Sequence, residues 1–147
     1  MKNVGISKMK KIIEKIKAKI RGTIDLERLI KDGLSVGDNF HAQEGVIIDP
    51  GHCWLIEIGN NVTLAPRVHI LAHDASTKNI LGYTKISNVK KGNNVFVGAG
   101  TIILPGVTIE DNVIIGAGSV VTKDCKEGVY AGNPCTLVCS YQEYVNK

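Results

Sequence analysis

Four histidines, His41, His52, His69 and His73, are the side chains of this 147-residue protein suited to exchanging a proton near neutral pH, because free imidazole titrates near 6.5. A neutral imidazole that takes the proton of an attacking hydroxyl speeds such a reaction roughly 10²- to 10⁴-fold. Three histidines meeting at one point would instead hold zinc and activate water. His52, His69 and His73 suffice in number, but their spacing matches no zinc pattern. The cysteines, Cys53, Cys125, Cys135 and Cys139, form no CxxC pair and are expected to be small buried or half-buried thiols. No Cys or Ser is placed with a base, so a covalent acyl-enzyme is not expected. The GAG triplets at 98–100 and 116–118 complete neither a GxGxxG nor a Walker loop, which excludes those nucleotide cradles.

The elements that must hold these groups have a period of six. The hexads read IGNNVT, LAPRVH and ILAHDA over 58–75, then KGNNVF, VGAGTI, ILPGVT, IEDNVI, IGAGSV and VTKDCK over 91–126. VGDNFH, AQEGVI and IDPGHC extend the pattern upstream over 36–53, with Trp54 to Glu57 intervening. Each hexad is a short strand plus a corner, and three make one turn of a triangular coil whose turns pair in parallel. The first residue of a hexad points inward and stacks on its counterpart in the next turn, as Val97 on Ile115 or Ile103 on Val121. Gly or Asn at positions two to four tolerates the left-handed conformation a tight corner needs. This tiling explains a chain that is 44% apolar yet only 5% aromatic and holds 16 Gly. Four turns at about 4.8 Å each stack to only roughly 19 Å. An excursion over 76–90 leaves one corner, and a loop of that length is usually functional. His73, in AHDAS, falls where the third strand of a turn gives way to it, so its ring belongs at a corner beneath the loop. Lys91 stands where an inward aliphatic is due and is expected to snorkel where the loop rejoins. Asp49 could cap its own turn through an Asx bond.

The hexads, the segment IGNNVTLAPRVHI, the excursion, and GVTIEDNVIIGAGSVVTKD followed by AGNP resemble the left-handed parallel β-helix acetyltransferases with hexapeptide repeats. The likeness is to the galactoside, maltose and nodulation-factor O-acetyltransferase group and to relatives that modify surface polysaccharides, and it covers residues 36–135. It implies an all-β fold, a left-handed parallel β-helix of about four turns. Residues 1–35 would form a helical N-terminal segment, 36–126 the coil, and 127–147 a short tail, partly helical. It further implies acetyl-CoA as co-substrate without a metal, and transfer to a hydroxyl of a sugar or surface-polysaccharide precursor. The assembly implied is a homotrimer with the site between neighbouring subunits. On this resemblance His73 is the general base, Gln43, Asp49, His52 and Asp74 face the acceptor, and Gly98, Ala99, Ala117, Thr122 and Lys123 receive acetyl-CoA. The Ala99 N–H would hold the developing oxyanion, and Lys123 would meet CoA phosphate or ribose. His52 is the second choice of base.

Charge is placed unevenly. Residues 1–21 carry eight basic side chains and one acid, which leaves −3 on the rest of a chain whose net charge is +4. The basic balance belongs to the first helix, so a nucleic-acid partner is not expected. Met9, Ile12, Ile13, Ile16 and Ile20 form one apolar face of that helix. Peripheral attachment to an anionic membrane is one use of such a helix. Lacking an aromatic anchor, it is expected instead to pack on the body or on a neighbouring subunit. Thr23 or Asp25 would cap a second short helix through Lys31, with Gly33 as its stop. Without a membrane-spanning run or a signal-peptide core, a cytoplasmic location is the default expectation. Two other readings compete: a carbonic anhydrase of the γ class on the same coil, and a non-enzymatic, membrane-docked scaffold that works through the basic helix.

Overall fold

The computed structural model describes residues 2–146, with side chains throughout except at positions 2–7, 11, 15, 18 and 19. The six-residue period becomes a parallel β-helix with three faces. Ser35–Val36, Ile56–Ile58, Val89–Lys91 and Thr108–Ile109 stack as the first face. His41–Ala42, Val62–Leu64, Val95–Val97 and Val113–Ile115 form the second, and Ile47–Ile48, His69–Ile70, Ile102–Ile103 and Val120–Val121 the third. Val97 pairs with Ile115, and Ile103 with Val121, in the register expected from the hexads.

The core is a ladder. Ile58, Leu64, Ile70, Val97, Ile103, Ile109, Ile115 and Val121 are all buried, each contributing about 1.5–3 kcal/mol. Between them sit the small fifth-position residues Val62, Val68, Thr101, Val107, Val113 and Ser119, also buried. The corner after the first face is an asparagine column. Asn39, Asn61, Asn94 and Asn112 all adopt left-handed φ of 55–56°. Each side-chain amide donates to the carbonyl oxygen of the next, at 2.9–3.1 Å.

Asp25 caps the second helix, Leu26–Lys31, by accepting from the Arg28 N–H. The first helix, Lys2–Arg21, is not covered by the body: Met9, Ile12, Ile13, Ile16 and Ile20 are 45–80% exposed. No helix among the described residues is long and apolar enough to cross a membrane. The tail contains more strand than expected. Gly128–Ala131 adds a parallel strand to the second face, and Thr136–Cys139 folds back on it before the short helix Tyr141–Val145.

Lys91 corrects the expectation that it snorkels. It is 4% exposed, and its ammonium nitrogen is covered without a hydrogen-bond partner. The excursion expected over 76–90 rejoins the coil earlier, at Val89, so Lys91 already lies in the first face. Its backbone pairs with Ile58 on one side and Ile109 on the other, which leaves the inward side chain no exit. Burial pushes its amine down to about 7 from the ordinary 10.5. Between those two values the unfolded chain holds a proton that the folded chain lacks, so stability rises with pH across that window. Replacing Lys91 by Leu should therefore stabilise the protein at pH 7 by about 2–4 kcal/mol in urea unfolding. The advantage over the parent should shrink as pH rises from 7 towards 10.

Candidate active site

Asp49, His52 and His73 meet at the corner after the third face. Asp49 follows strand Ile47–Ile48, and His73 opens the excursion, where His73–Asp74 pairs antiparallel with Lys85–Ile86 before and after the short helix Lys78–Leu81. The Asp49 side chain is 1% exposed, and its partners converge from three directions. Oδ1 accepts from the Gly51 N–H at 3.1 Å, which is the Asx turn expected from the sequence. Oδ2 accepts from the Ala72 N–H at 3.0 Å and from His73 Nδ1. Burial alone would raise this carboxyl. The His73 and Ala72 hydrogen bonds, the His73 charge and the Gly51 N–H outweigh it and hold Asp49 below the ordinary 3.8.

A carboxylate that only accepts fixes the proton of a neutral His73 on Nδ1 and leaves the Nε2 lone pair free. The half-exposed His73 ring lies 4.8 Å from that of His52, tilted by 34°. His52 in turn packs against Trp54 at 5.2 Å, and its Nδ1 sits 3.6 Å from Asp49 Oδ1. Asp74 accepts from the Ser76 N–H at 2.8 Å. Hydrogen bonds from Ser76 hold its carboxyl low against the effect of burial, with help from Lys85 and His73.

The other expected residues divide between two corners. Thr122 and Lys123 follow Val120–Val121 and share the third corner with the His73 cluster. Gln43, Gly98, Ala99 and Ala117 lie on the second corner, between the second and third faces. Gly98 is required there by close stacking, since a Cβ would meet the Ala117 nitrogen at 2.5 Å. The residue after it is left open. The Gly100 N–H donates to Pro66 and the Ala99 carbonyl accepts from Gly118, but the Ala99 N–H has no partner among the described residues. One chain thus brings Asp49, His52 and His73 together and keeps Ala99 on a different edge.

Asp49, His52 and His73 are also the one candidate metal cluster among the described residues, with ligand atoms all within 4.8 Å of one another. His69 is not part of this cluster. Cys53 is buried with its thiol towards the Leu29 and Asp32 carbonyls.

Residues 92–123 match the bacterial transferase hexapeptide family (six repeats). A solved structure of galactoside acetyltransferase in complex with coenzyme A is 31% identical, with a TM-score of 0.59, over 82% of this chain and 72% of that one. This chain belongs to the hexapeptide-repeat acetyltransferases. Its coil is accordingly the left-handed one. The maltose O-acetyltransferase of Clostridium difficile 630 is 46% identical with a TM-score of 0.64, over 74% of this chain and 59% of that one. The galactoside O-acetyltransferase of Escherichia coli (strain K12) is 39% identical over 112 residues, 71% of this chain and 53% of the relative. The chain spans about half the length of the curated relatives it matches.

From the sequence Asp49 and His73 carry separate tasks, acceptor ligand and base, and nothing in the spacing shows that the carboxylate turns under the ring. Asp49→Ala strips the acceptor from a buried Ala72 N–H and should cost about 1–3 kcal/mol in urea unfolding at pH 7. Because the native carboxyl titrates low, its contribution is present above pH 3.8 and lost as pH falls through the lower native value. The gap between variant and parent should therefore close in acid.

Proposed function

We propose that the protein is an acetyl-CoA-dependent O-acetyltransferase acting on a hydroxyl of a sugar or surface-polysaccharide precursor. The observation that carries this reading is the Asp49–His73 contact at the root of the excursion, which leaves Nε2 free to accept a proton. Asp49 is then a positioning residue rather than an acceptor ligand, because its oxygens are already engaged. Family membership supports the acetyl donor.

His73 takes the acceptor's hydroxyl proton at Nε2 as that oxygen attacks the thioester carbonyl. The oxyanion that forms is met by the unpaired Ala99 N–H. When the C–S bond breaks, the CoA sulfur leaves with the proton held on His73, which restores the neutral base. His52 and Asp74 flank the ring and are the residues to contact the acceptor. Gly98, Ala99 and Ala117 form the flat wall for pantetheine, and Thr122 and Lys123 the polar end for CoA.

Since His73 and Ala99 occupy different corners, the site closes only when the third corner of one subunit faces the second corner of another. A homotrimer supplies three such sites and fits the short coil. The exposed isoleucines of the first helix offer apolar area for the same assembly.

His73→Ala should lower kcat about 10²- to 10⁴-fold in a thiol-release assay, with the folded assembly kept. Full activity in such a variant would sink the mechanism. Placing a Trp at Ala99 should block the donor side, and mixing that variant with His73→Ala should restore part of the activity, because mixed assemblies contain one intact site. A subunit that is monomeric at micromolar concentration overturns the shared site. Turnover should persist in EDTA, whereas excess zinc, drawn to Asp49, His52 and His73, should inhibit it.

A further inference from the structure

Arg67 breaks the rule of the second corner. Four stacked residues there adopt positive φ: Gly45 at 76°, Arg67 at 61°, Gly100 at 69° and Gly118 at 68°. Three are glycine, which accepts this conformation freely, whereas a side chain with a Cβ costs about 1–2 kcal/mol. A strained residue held in a regular column is a reason to ask what the side chain does.

The surroundings answer in terms of charge. Arg67 is exposed, and Gly45 beneath it leaves a lane for its stem, since a Cβ at Gly45 would lie 3.1 Å from Arg67 Cγ. The Gly45 N–H donates to the Gly22 carbonyl at 2.9 Å and pins the end of the first helix to this corner. That contact brings Arg21 to the same groove, a space of about 740 Å³ that Gln43, Ala99 and Gly100 also line. Glu44 is the one carboxylate on its wall, and among the described residues no ion pair joins it to either guanidinium. Two unpaired guanidiniums in one groove suit a carboxylate or phosphate, which they can hold in bidentate fashion.

We infer that Arg67, with Arg21 beside it, binds an anionic group on the acceptor, so that the protein acetylates an acidic or phosphorylated sugar in preference to a neutral one. The inference rests on the O-acetyltransferase reading. In that reading pantetheine runs from Ala99 towards Ala117, which leaves the Arg67 side of Ala99 for the acceptor. The phosphates of acetyl-CoA are the competing source of negative charge, and the experiment separates the two.

The informative variant is Arg67→Gly, because glycine is what the other turns carry and the fold should be kept or improved. Matched acceptors are compared in the thiol-release assay: glucuronate and glucose 6-phosphate against glucose. Binding of glucuronate and of inorganic pyrophosphate is measured separately by calorimetry without acetyl-CoA. The parent should prefer the charged sugars, and Arg67→Gly should raise their KM and Kd roughly tenfold or more with KM for acetyl-CoA unchanged. Arg67→Lys, which keeps charge but not the fork, should fall between. Equal use of glucose, or no charged sugar bound or used, overturns the inference while the transferase reading stands. A rise confined to the KM for acetyl-CoA also overturns it, because the groove then serves CoA. Arg67-dependent binding without acetyl transfer to any sugar would instead support the anion site and defeat the proposed function.

Discussion

Everything in this molecule depends on one turn of the coil lying flat upon the next at the spacing of paired strands, about 4.8 Å. Parallel hydrogen bonds set that spacing, and it forces residues of equivalent position into columns. Along the three faces the columns are aliphatic and close the core. At the corners they are short, because the backbones approach too closely for side chains, as Gly98 does against Ala117. Where a column holds asparagine, the amides bond to one another and convert a bend into a second ladder. Lys91 shows how strict the columns are: once its strand is in register, an unpaired amine is carried into the interior.

The same constraint makes the site. Only the third corner relaxes the period, first through the 3₁₀ turn Cys53–Leu55 and one turn later through the excursion. These two irregularities lie on the same edge, which is why Asp49 and His52 from one meet His73 from the other. The second corner stays regular and offers instead a backbone donor at Ala99 and the guanidinium of Arg67. The coil keeps these two corners apart, with Asp49, His52 and His73 on one edge and Ala99 and Arg67 on the other.

Much of this was legible in the residues. The hexads predicted the stacking pairs, the inward first positions and the left-handed asparagines, because each depends on local spacing alone. Aligning the hexads also puts Arg67 in a glycine column, a signal present in the residue order that gains meaning only beside Arg21. The return strand Thr136–Cys139 was not foreseen, since it has no six-residue repeat and is defined by its partner Gly128–Ala131. Lys91 departs from its expectation because the first-face strand already begins at Val89, inside the span 76–90 expected for the excursion, and pairing on both sides leaves the charge no way out to water.

The sequence by itself determined the coil, its turn count and the corner from which His73 emerges, because period, side-chain size and backbone freedom act between neighbours. Only the tertiary structure decided that Asp49 turns beneath His73 and that Lys91 is sealed inside. Those outcomes depend on which column each residue joins after chain segments of unequal length, the 22 residues from Asp38 to Asn60 or the 33 from Asn60 to Asn93, have brought successive turns into contact.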